Sequence, residues 1–182
     1  MNIGYLIRKI NPRPSVKYVS ENLNDSLTII EIGTYEADNA LSILKNLHVK
    51  KFYCIDPYLN YEAYKDDPII YTLSNAKKKA DKRLLRYMDR VERIYDKSHL
   101  CASMFKEGSI DFIYIDGNHK TEYVYSDLER YYPKLKGEGV IAGHDIEHPS
   151  VFKAVSAFCF KNNLDCQVRS PDWIIIKPSL SH

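Results

Sequence analysis

The stretch Leu27–Tyr58, LTIIEIGTYEADNALSILKNLHVKKFYCIDPY, decides the fold. Leu27 to Ile32 is a short apolar run rich in β-branched residues and closed by Gly33, the pattern of a buried strand. Asp38 to Leu47 then sets Ala40, Leu41, Leu44 and Leu47 on one helical face. Lys51 to Ile55 is a second buried strand, closed by Asp56-Pro57. Strand, helix and strand in immediate succession form the unit from which parallel sheets are built.

Outward from this unit the alternation continues. Val91 to Tyr95 is a weaker third strand, Ile110 to Ile115 a strong fourth ended by Asp116-Gly117, and Gly139 to Gly143 a fifth ended by His144-Asp145. Cys166 to Arg169 and Trp173 to Lys177 read as a closing hairpin around Ser170-Pro171-Asp172. Helical spacing groups Ala80, Leu84, Leu85 and Met88 within Asn75–Asp89. It groups Val124, Leu128 and Tyr131 within Thr121–Tyr132, and Val151, Ala154, Val155 and Phe158 within Pro149–Lys161. The expected fold is α/β and Rossmann-like: a mostly parallel sheet with helices on both faces and an antiparallel closing edge. The 182 residues fit a single domain, 1–182, with residues 1–26 as an N-terminal cap region. Residues 57–74 follow no period and hold Tyr58, Tyr61, Tyr64 and Tyr71. They read either as a lid over a ligand or as an ordinary surface connection.

Composition narrows the classes of function. A net charge of +2 gives no global field toward nucleic acid or membrane. The apolar runs are strand-sized, far short of the roughly 20 residues of a membrane span. Arg8 and Lys9 follow the apolar residues at the N-terminus, the wrong order for a secretory signal, so a cytoplasmic location is expected. The four cysteines form no CxxC pair, and reduced thiols are expected. Lys77, Lys78, Lys79, Lys82, Arg83, Arg86, Arg90 and Arg93 make one region basic. That region reads as a contact for an anionic substrate such as a nucleotide-sugar or RNA, or as a solvated face.

In open parallel sheets, ligands bind beyond the carboxyl ends of the strands. Those ends carry Glu31 and Gly33, then Asp56, then Asp116, Gly117, Asn118 and His119, then His144 and Asp145. Asp56 lies 23 positions after Gly33, a spacing at which a carboxylate accepts both hydroxyls of a ribose. The first turn, Glu31-Ile32-Gly33-Thr34-Tyr35-Glu36-Ala37-Asp38, has only one of the glycines that a pyrophosphate requires. Glu31 and Glu36 would repel phosphate but favour the sulfonium and ammonium of S-adenosylmethionine. A nicotinamide-dependent oxidoreductase is disfavoured on the same ground.

The segments TIIEIGTYEADNA, YCIDPY and SIDFIYIDGNHKTEYVYSDLERYYPKLKGEGVIAGHDI, and more weakly Val151-Phe152-Lys153-Ala154-Val155, resemble the class I S-adenosylmethionine-dependent methyltransferases. They look closest to the macrocin-type sugar O-methyltransferases. The resemblance implies a seven-stranded sheet with an antiparallel last strand. It implies that Glu31, Gly33 and Tyr35 line the methionine part of the cofactor and that Asp56 holds the ribose. It also implies that Pro57, Tyr58 and Ser98 lie by the adenine and that Asp116 stands next to the reacting methyl group. Two positions depart from the family. Ala37 stands where glycine is common, and His144-Asp145 stands where the metal-using members carry two aspartates. Asp116, His144 and Asp145 would then be the metal ligands, with imidazole better suited to manganese than to magnesium.

Methyl transfer to a hydroxyl needs its proton removed, and Asp116, His119 and His144 are the candidates for that catalytic role. A divalent metal, magnesium or manganese, could instead lower the hydroxyl's pKa. The expected activity is O-methylation of a small molecule such as a sugar or glycosylated compound. The alternative is a non-catalytic nucleic-acid or partner-binding module on the same fold. Oligomerisation as a homo-oligomer is compatible with the sequence.

Overall fold

The computed structural model describes residues 11–23, 25–59 and 73–179. Seven strands form one sheet: β1 (Leu27–Ile32), β2 (Val49–Ile55), β3 (Val91–Ile94), β4 (Ile110–Ile115), β5 (Leu135–Gly143), β6 (Cys166–Arg169) and β7 (Asp172–Ile176). Their spatial order is β3-β2-β1-β4-β5-β7-β6. The pairs β1–β2, β1–β4, β2–β3 and β4–β5 are parallel, whereas β7 runs antiparallel to both β5 and β6. The Rossmann-like sheet with its antiparallel last strand is therefore the one expected from the sequence.

Helices cover both faces. On one side lie α1 (Pro14–Asn22), α2 (Asp38–Asn46) and α3 (Leu73–Leu84), which bring Val16, Val19, Ile43, Ala80 and Leu84 onto Ile29, Phe52, Phe112 and Tyr114. On the other lie α4 (Ser98–Cys101), α5 (Thr121–Tyr131) and α6 (Pro149–Asn162), which bring Leu128, Tyr131, Ala154 and Val155 onto Ile30, Ile113, Ile141 and Ile175. Each side chain of this size that leaves water contributes ~1.5–3 kcal/mol, so the alternation of faces along each strand fixes the register. Gly143 is required at the end of β5, because a Cβ there would stand 2.4 Å from the Trp173 ring.

Two local expectations are corrected. Helix α3 ends at Leu84 and continues as a 3-10 turn over Leu85–Tyr87, which rotates Leu85 and Met88 out to solvent instead of onto the helix's buried face. The closing hairpin expected around Ser170-Pro171-Asp172 turns one residue earlier than read, because Asp172 already opens β7, where it is fully buried. The helix α1 within the N-terminal cap region has no counterpart in the sequence reading. Of the suggested lid, residues 60–72 lie outside the described residues. Among the described residues, no helix is long and apolar enough to cross a membrane.

Candidate active site at the carboxyl edge of the sheet

The register of the central strands sets the site. Ile32 pairs with Ile55 on one side and Ile115 on the other, and Ile115 pairs with Gly143. The residues that follow therefore leave the sheet at one level. Their backbones continue the ladder for one more bond, from Gly33 N–H to Ile55 O (2.9 Å), Asp116 N–H to Ile32 O (2.8 Å) and His144 N–H to Ile115 O (3.1 Å). Gly33 takes φ +89°, and a Cβ on it would fall 2.0 Å from the Asp116 carbonyl oxygen. The first turn and the fourth strand's end thus meet only because position 33 has no side chain.

Glu31, the penultimate residue of β1, is 1% exposed. Its Oε1 accepts a hydrogen bond from Asn39 Nδ2 at 3.0 Å. Its Oε2 and the Thr34 Oγ1 are both buried without a hydrogen-bond partner, although the hydroxyl is close enough to favour the ionised form. Burial, reinforced by the negative charge of Asp116, pushes the Glu31 carboxyl up to about 8.

Asp56 closes β2. Its Oδ2 accepts the Tyr35 N–H and its Oδ1 the Tyr58 N–H, each at 2.8 Å. Tyr35 and Tyr58 both adopt left-handed backbone (φ 45° and 47°), and the Tyr58 hydroxyl donates to the Tyr35 carbonyl at 2.7 Å. One carboxylate thus ties together the loops after β1 and β2. Burial raises the Asp56 pKa against the opposing effect of these N–H donors. Pro57 continues from it and is part-exposed. Ser98 begins α4 after β3, and its hydroxyl donates to the buried Asp127 Oδ1 at 2.6 Å.

The ends of β4 and β5 bring a second group together. His119 Nε2 lies 3.1 Å from Asp145 Oδ2 and 3.7 Å from Asp116 Oδ1. The Asp116 carboxylate, then Asp145, raise the His119 pKa against the effect of burial. His144 Nδ1 lies 2.8 Å from Asp145 Oδ1, and Asp145 turns toward it through left-handed backbone (φ 56°). His148, which has no role in the sequence analysis above, stands with its ring centroid 6.0 Å from that of His119. Ser150 Oγ bridges the two by approaching His148 Nδ1 (2.8 Å) and donating to His119 O (2.6 Å).

Asp116, His144 and Asp145 each offer a ligand atom within 4.8 Å of the others. Their present partners do not suit a divalent ion. Both Asp145 oxygens face imidazoles, and Asp116 Oδ2 receives a guanidinium N–H at 3.0 Å. That guanidinium belongs to Arg13, at the start of α1. It also donates to the Tyr114 hydroxyl and lies over the Tyr114 ring, 5.4 Å from its centroid. Tyr114 Oη donates in turn to Asp172 Oδ1 at 3.2 Å. Asp172 Oδ2 accepts the Ser15 N–H (3.1 Å) and hydroxyl (2.5 Å). Arg13, Tyr114, Asp172 and Ser15 escaped the sequence reading, since no local pattern links them.

Part of the basic region on and after α3 is engaged within the fold. Lys79 pairs with Glu36, Arg83 bonds to Asp38 at 2.9 Å and to the Glu36 carbonyl at 2.7 Å, and Lys77 and Arg93 converge on Asp81 at 3.1 and 2.9 Å. The Lys79 and Arg83 contacts dock α3 onto the turn after β1, and Arg93 ties β3 to α3 through Asp81.

Residues 30–146 match the family model described as a methyltransferase domain. The chain is 26% identical over 151 residues to an uncharacterized protein of Acanthamoeba polyphaga mimivirus, a match covering 76% of this chain and 64% of that protein. The chain thus spans under two thirds of the length of this curated relative. Among solved structures, the O-methyltransferase NovP superposes with a TM-score of 0.69 at 15% identity, over 94% of this chain and 79% of NovP. A Staphylococcus aureus structure described as a candidate caffeoyl-CoA O-methyltransferase superposes with a TM-score of 0.68 at 15% identity, over 97% and 93% of the two chains. The family model covers the whole carboxyl edge from Glu31 to Asp145 and well over half of the sequence, so the chain belongs to the methyltransferase-domain family.

Proposed function

We propose that this chain is an S-adenosylmethionine-dependent methyltransferase acting on a hydroxyl of a small molecule, with a sugar or glycosylated compound as the acceptor class. The observation that carries the reading is the acidic edge. Four adjacent strands, β2, β1, β4 and β5, end on Asp56, Glu31, Asp116 and Asp145. Such an edge repels phosphate and favours a ligand with positive charge.

The residues suit that cofactor. Glu31 has a buried oxygen without a partner, which matches an ammonium group. Asp56 uses one lone pair of each oxygen for a backbone N–H, and an ionised carboxylate has about four such sites, which leaves acceptors for two ribose hydroxyls. Gly33 and Tyr35 form the wall beside the methionine part, and Pro57, Tyr58 and Ser98 the wall beside the adenine. When bound, the cofactor supplies an electrophilic methyl group on a sulfonium.

For the acceptor, His144 is the general base that the geometry favours. Its Nδ1 is held by Asp145 at 2.8 Å, which fixes the ring and leaves the second nitrogen to take a proton. His119 stands between two carboxylates, Asp145 at 3.1 Å and Asp116 at 3.7 Å, that favour its charged form. Asp116 faces the reacting centre as a carboxylate. The fit of a divalent ion to Asp116, His144 and Asp145 is poor while Arg13 and the two imidazoles engage these carboxylates, and no step is assigned to a metal.

Calorimetric titration with S-adenosylmethionine tests the reading. Saturable binding is expected, weakened by ~10-fold or more in Asp56→Ala through loss of charged hydrogen bonds to the ribose. A titration without saturation overturns the cofactor, and unchanged affinity in the variant overturns the ribose assignment.

A further inference from the structure

We propose that Arg13 is a positioning residue for Asp116 that supplies, from the N-terminal helix, the positive charge at this carboxylate and thereby closes the Asp116–Asp145 edge to divalent cations. The catalytic consequence rests on the methyltransferase reading above; the exclusion of cations does not.

The placement of Arg13 is built into the chain. Pro14 opens α1 and holds the preceding residue extended, and Arg13 has φ −54° and ψ 150°. The next residue, Ser15, is fully buried and bonds twice to Asp172 Oδ2. Val16 and Val19 then seat the helix in the core. Arg13 therefore cannot drift along the edge as a surface arginine would. Its guanidinium is nearly buried, at 13% side-chain exposure, between the Tyr114 ring below and Asp116 ahead.

The chemistry of the edge follows from charge. Asp116 and Asp145 carry two negative charges. Arg13 balances the first through Oδ2, and the His119 ring stands between the two carboxylates, 3.1 Å from Asp145 and 3.7 Å from Asp116. A magnesium or manganese ion on Asp116 would need an oxygen at about 2.0–2.2 Å, within a few ångströms of a charge that arginine does not give up. Asp145 is engaged as well, with Oδ2 3.1 Å from His119 Nε2 and Oδ1 2.8 Å from His144 Nδ1. A cation fixed by the chain thus takes over at Asp116 the neutralising role that a metal ion would otherwise fill.

The test titrates manganese alone into the protein and follows free Mn2+ by electron paramagnetic resonance. Wild type is expected to take up no Mn2+ at submillimolar concentration. Arg13→Gln, which keeps a polar side chain and loses the charge, should gain a site with a midpoint at least ~10-fold lower than wild type. Arg13→Lys, which keeps the charge, should not, and Arg13→Gln combined with Asp145→Asn should lose the gain. Circular dichroism and thermal melting show that each variant is folded, and Arg13→Met replaces Arg13→Gln if the latter is not. Tight Mn2+ uptake by wild type that Asp145→Asn removes overturns the proposal. So does the absence of any gain in folded neutral variants. A wild type that binds no S-adenosylmethionine while Arg13→Gln gains the Mn2+ site overturns the methyltransferase reading and leaves this one standing.

Discussion

Asn39 holds Glu31 by one oxygen only. The amide Nδ2 donates to Oε1 at 3.0 Å, and Oε2 remains buried without a partner. The fold thus carries an ionisable carboxyl at the methionine end of the proposed site, raised to about 8 mainly by burial. A raised carboxyl binds its proton more tightly in the folded chain than in the unfolded one. Its contribution to stability is full below an unfolded value near 4.5 and is lost as pH climbs through about 8. The unliganded protein should therefore melt at progressively lower temperature across that window, and Glu31→Gln should flatten the profile. Binding of a cationic ligand beside Oε2 should expel the proton. Calorimetric enthalpies near neutrality should then vary with the ionisation enthalpy of the buffer in wild type and not in Glu31→Gln. Equal buffer dependence in both would remove Glu31 from the ligand's ammonium.

Gly33 is the position where the two halves of the site are joined most tightly. An added Cβ would meet the Asp116 carbonyl oxygen at 2.0 Å and the Gly117 nitrogen at 2.7 Å, both backbone atoms that cannot yield as a side chain can. Gly33→Ala also places a side chain at φ +89°. The expected destabilisation is ~3 kcal/mol or more by urea denaturation, together with loss of S-adenosylmethionine binding. A variant with native stability would mean that β1 and β4 do not converge here.

Much of this edge was legible in the sequence because its signals are local. A β-branched run that stops at Gly33, Asp56, Asp116 or His144 announces both a strand and the chemistry at its end, and the parallel register aligns the stops. The third strand was less distinct, with only Val91 buried of its four residues. Arg13 was not legible for a physical reason. Helix α1 has nine residues, and its apolar seat is two valines, Val16 and Val19, too few to mark a period. The partners that give Arg13 its place are 101 and 103 positions away in Tyr114 and Asp116, and Ser15 meets Asp172 across 157. Polar contacts over such separations leave no trace in a sliding window. The same holds for the basic region: its charges were plain, but their pairing with Glu36, Asp38 and Asp81 depends on where α3 packs.

Asp127 supports the opposite end of the proposed cofactor site. Its Oδ1 accepts the Ser98 hydroxyl, and the Tyr131 hydroxyl donates to the Ser98 carbonyl at 2.7 Å, so α5 holds the first residue of α4 from two sides. Burial raises the Asp127 carboxyl to about 7. The sign is that of Glu31: its stabilising effect is present at acid pH and disappears as pH rises through neutrality. Asp127→Asn keeps an acceptor for Ser98 and has no proton to lose. It should match wild-type melting near pH 5 and exceed it above about pH 8. A variant less stable at alkaline pH than wild type would show that the ionised carboxylate is the favoured form.

Asp172 is the anchor on which the position of Arg13 depends. It is fully buried, and burial raises its pKa while the Ser15 hydroxyl and amide, then Arg13 and His144, oppose the shift. Its two oxygens accept from Ser15 N–H, Ser15 Oγ and Tyr114 Oη. Asp172→Ala would leave these donors without their acceptor in a dry environment, a loss on the order of 3 kcal/mol. Ser15→Ala removes one donor and keeps the rest, with an expected loss of about 1 kcal/mol. The two variants should differ in kind as well as in size. In Ser15→Ala, amide hydrogen exchange at Val16 and Val19 should quicken moderately. In Asp172→Ala, α1 should exchange as a unit that opens before the sheet does. If exchange in α1 instead keeps pace with global unfolding in both variants, the helix is held by its valines alone, and the polar chain from Ser15 through Asp172 and Tyr114 to Arg13 does not anchor it.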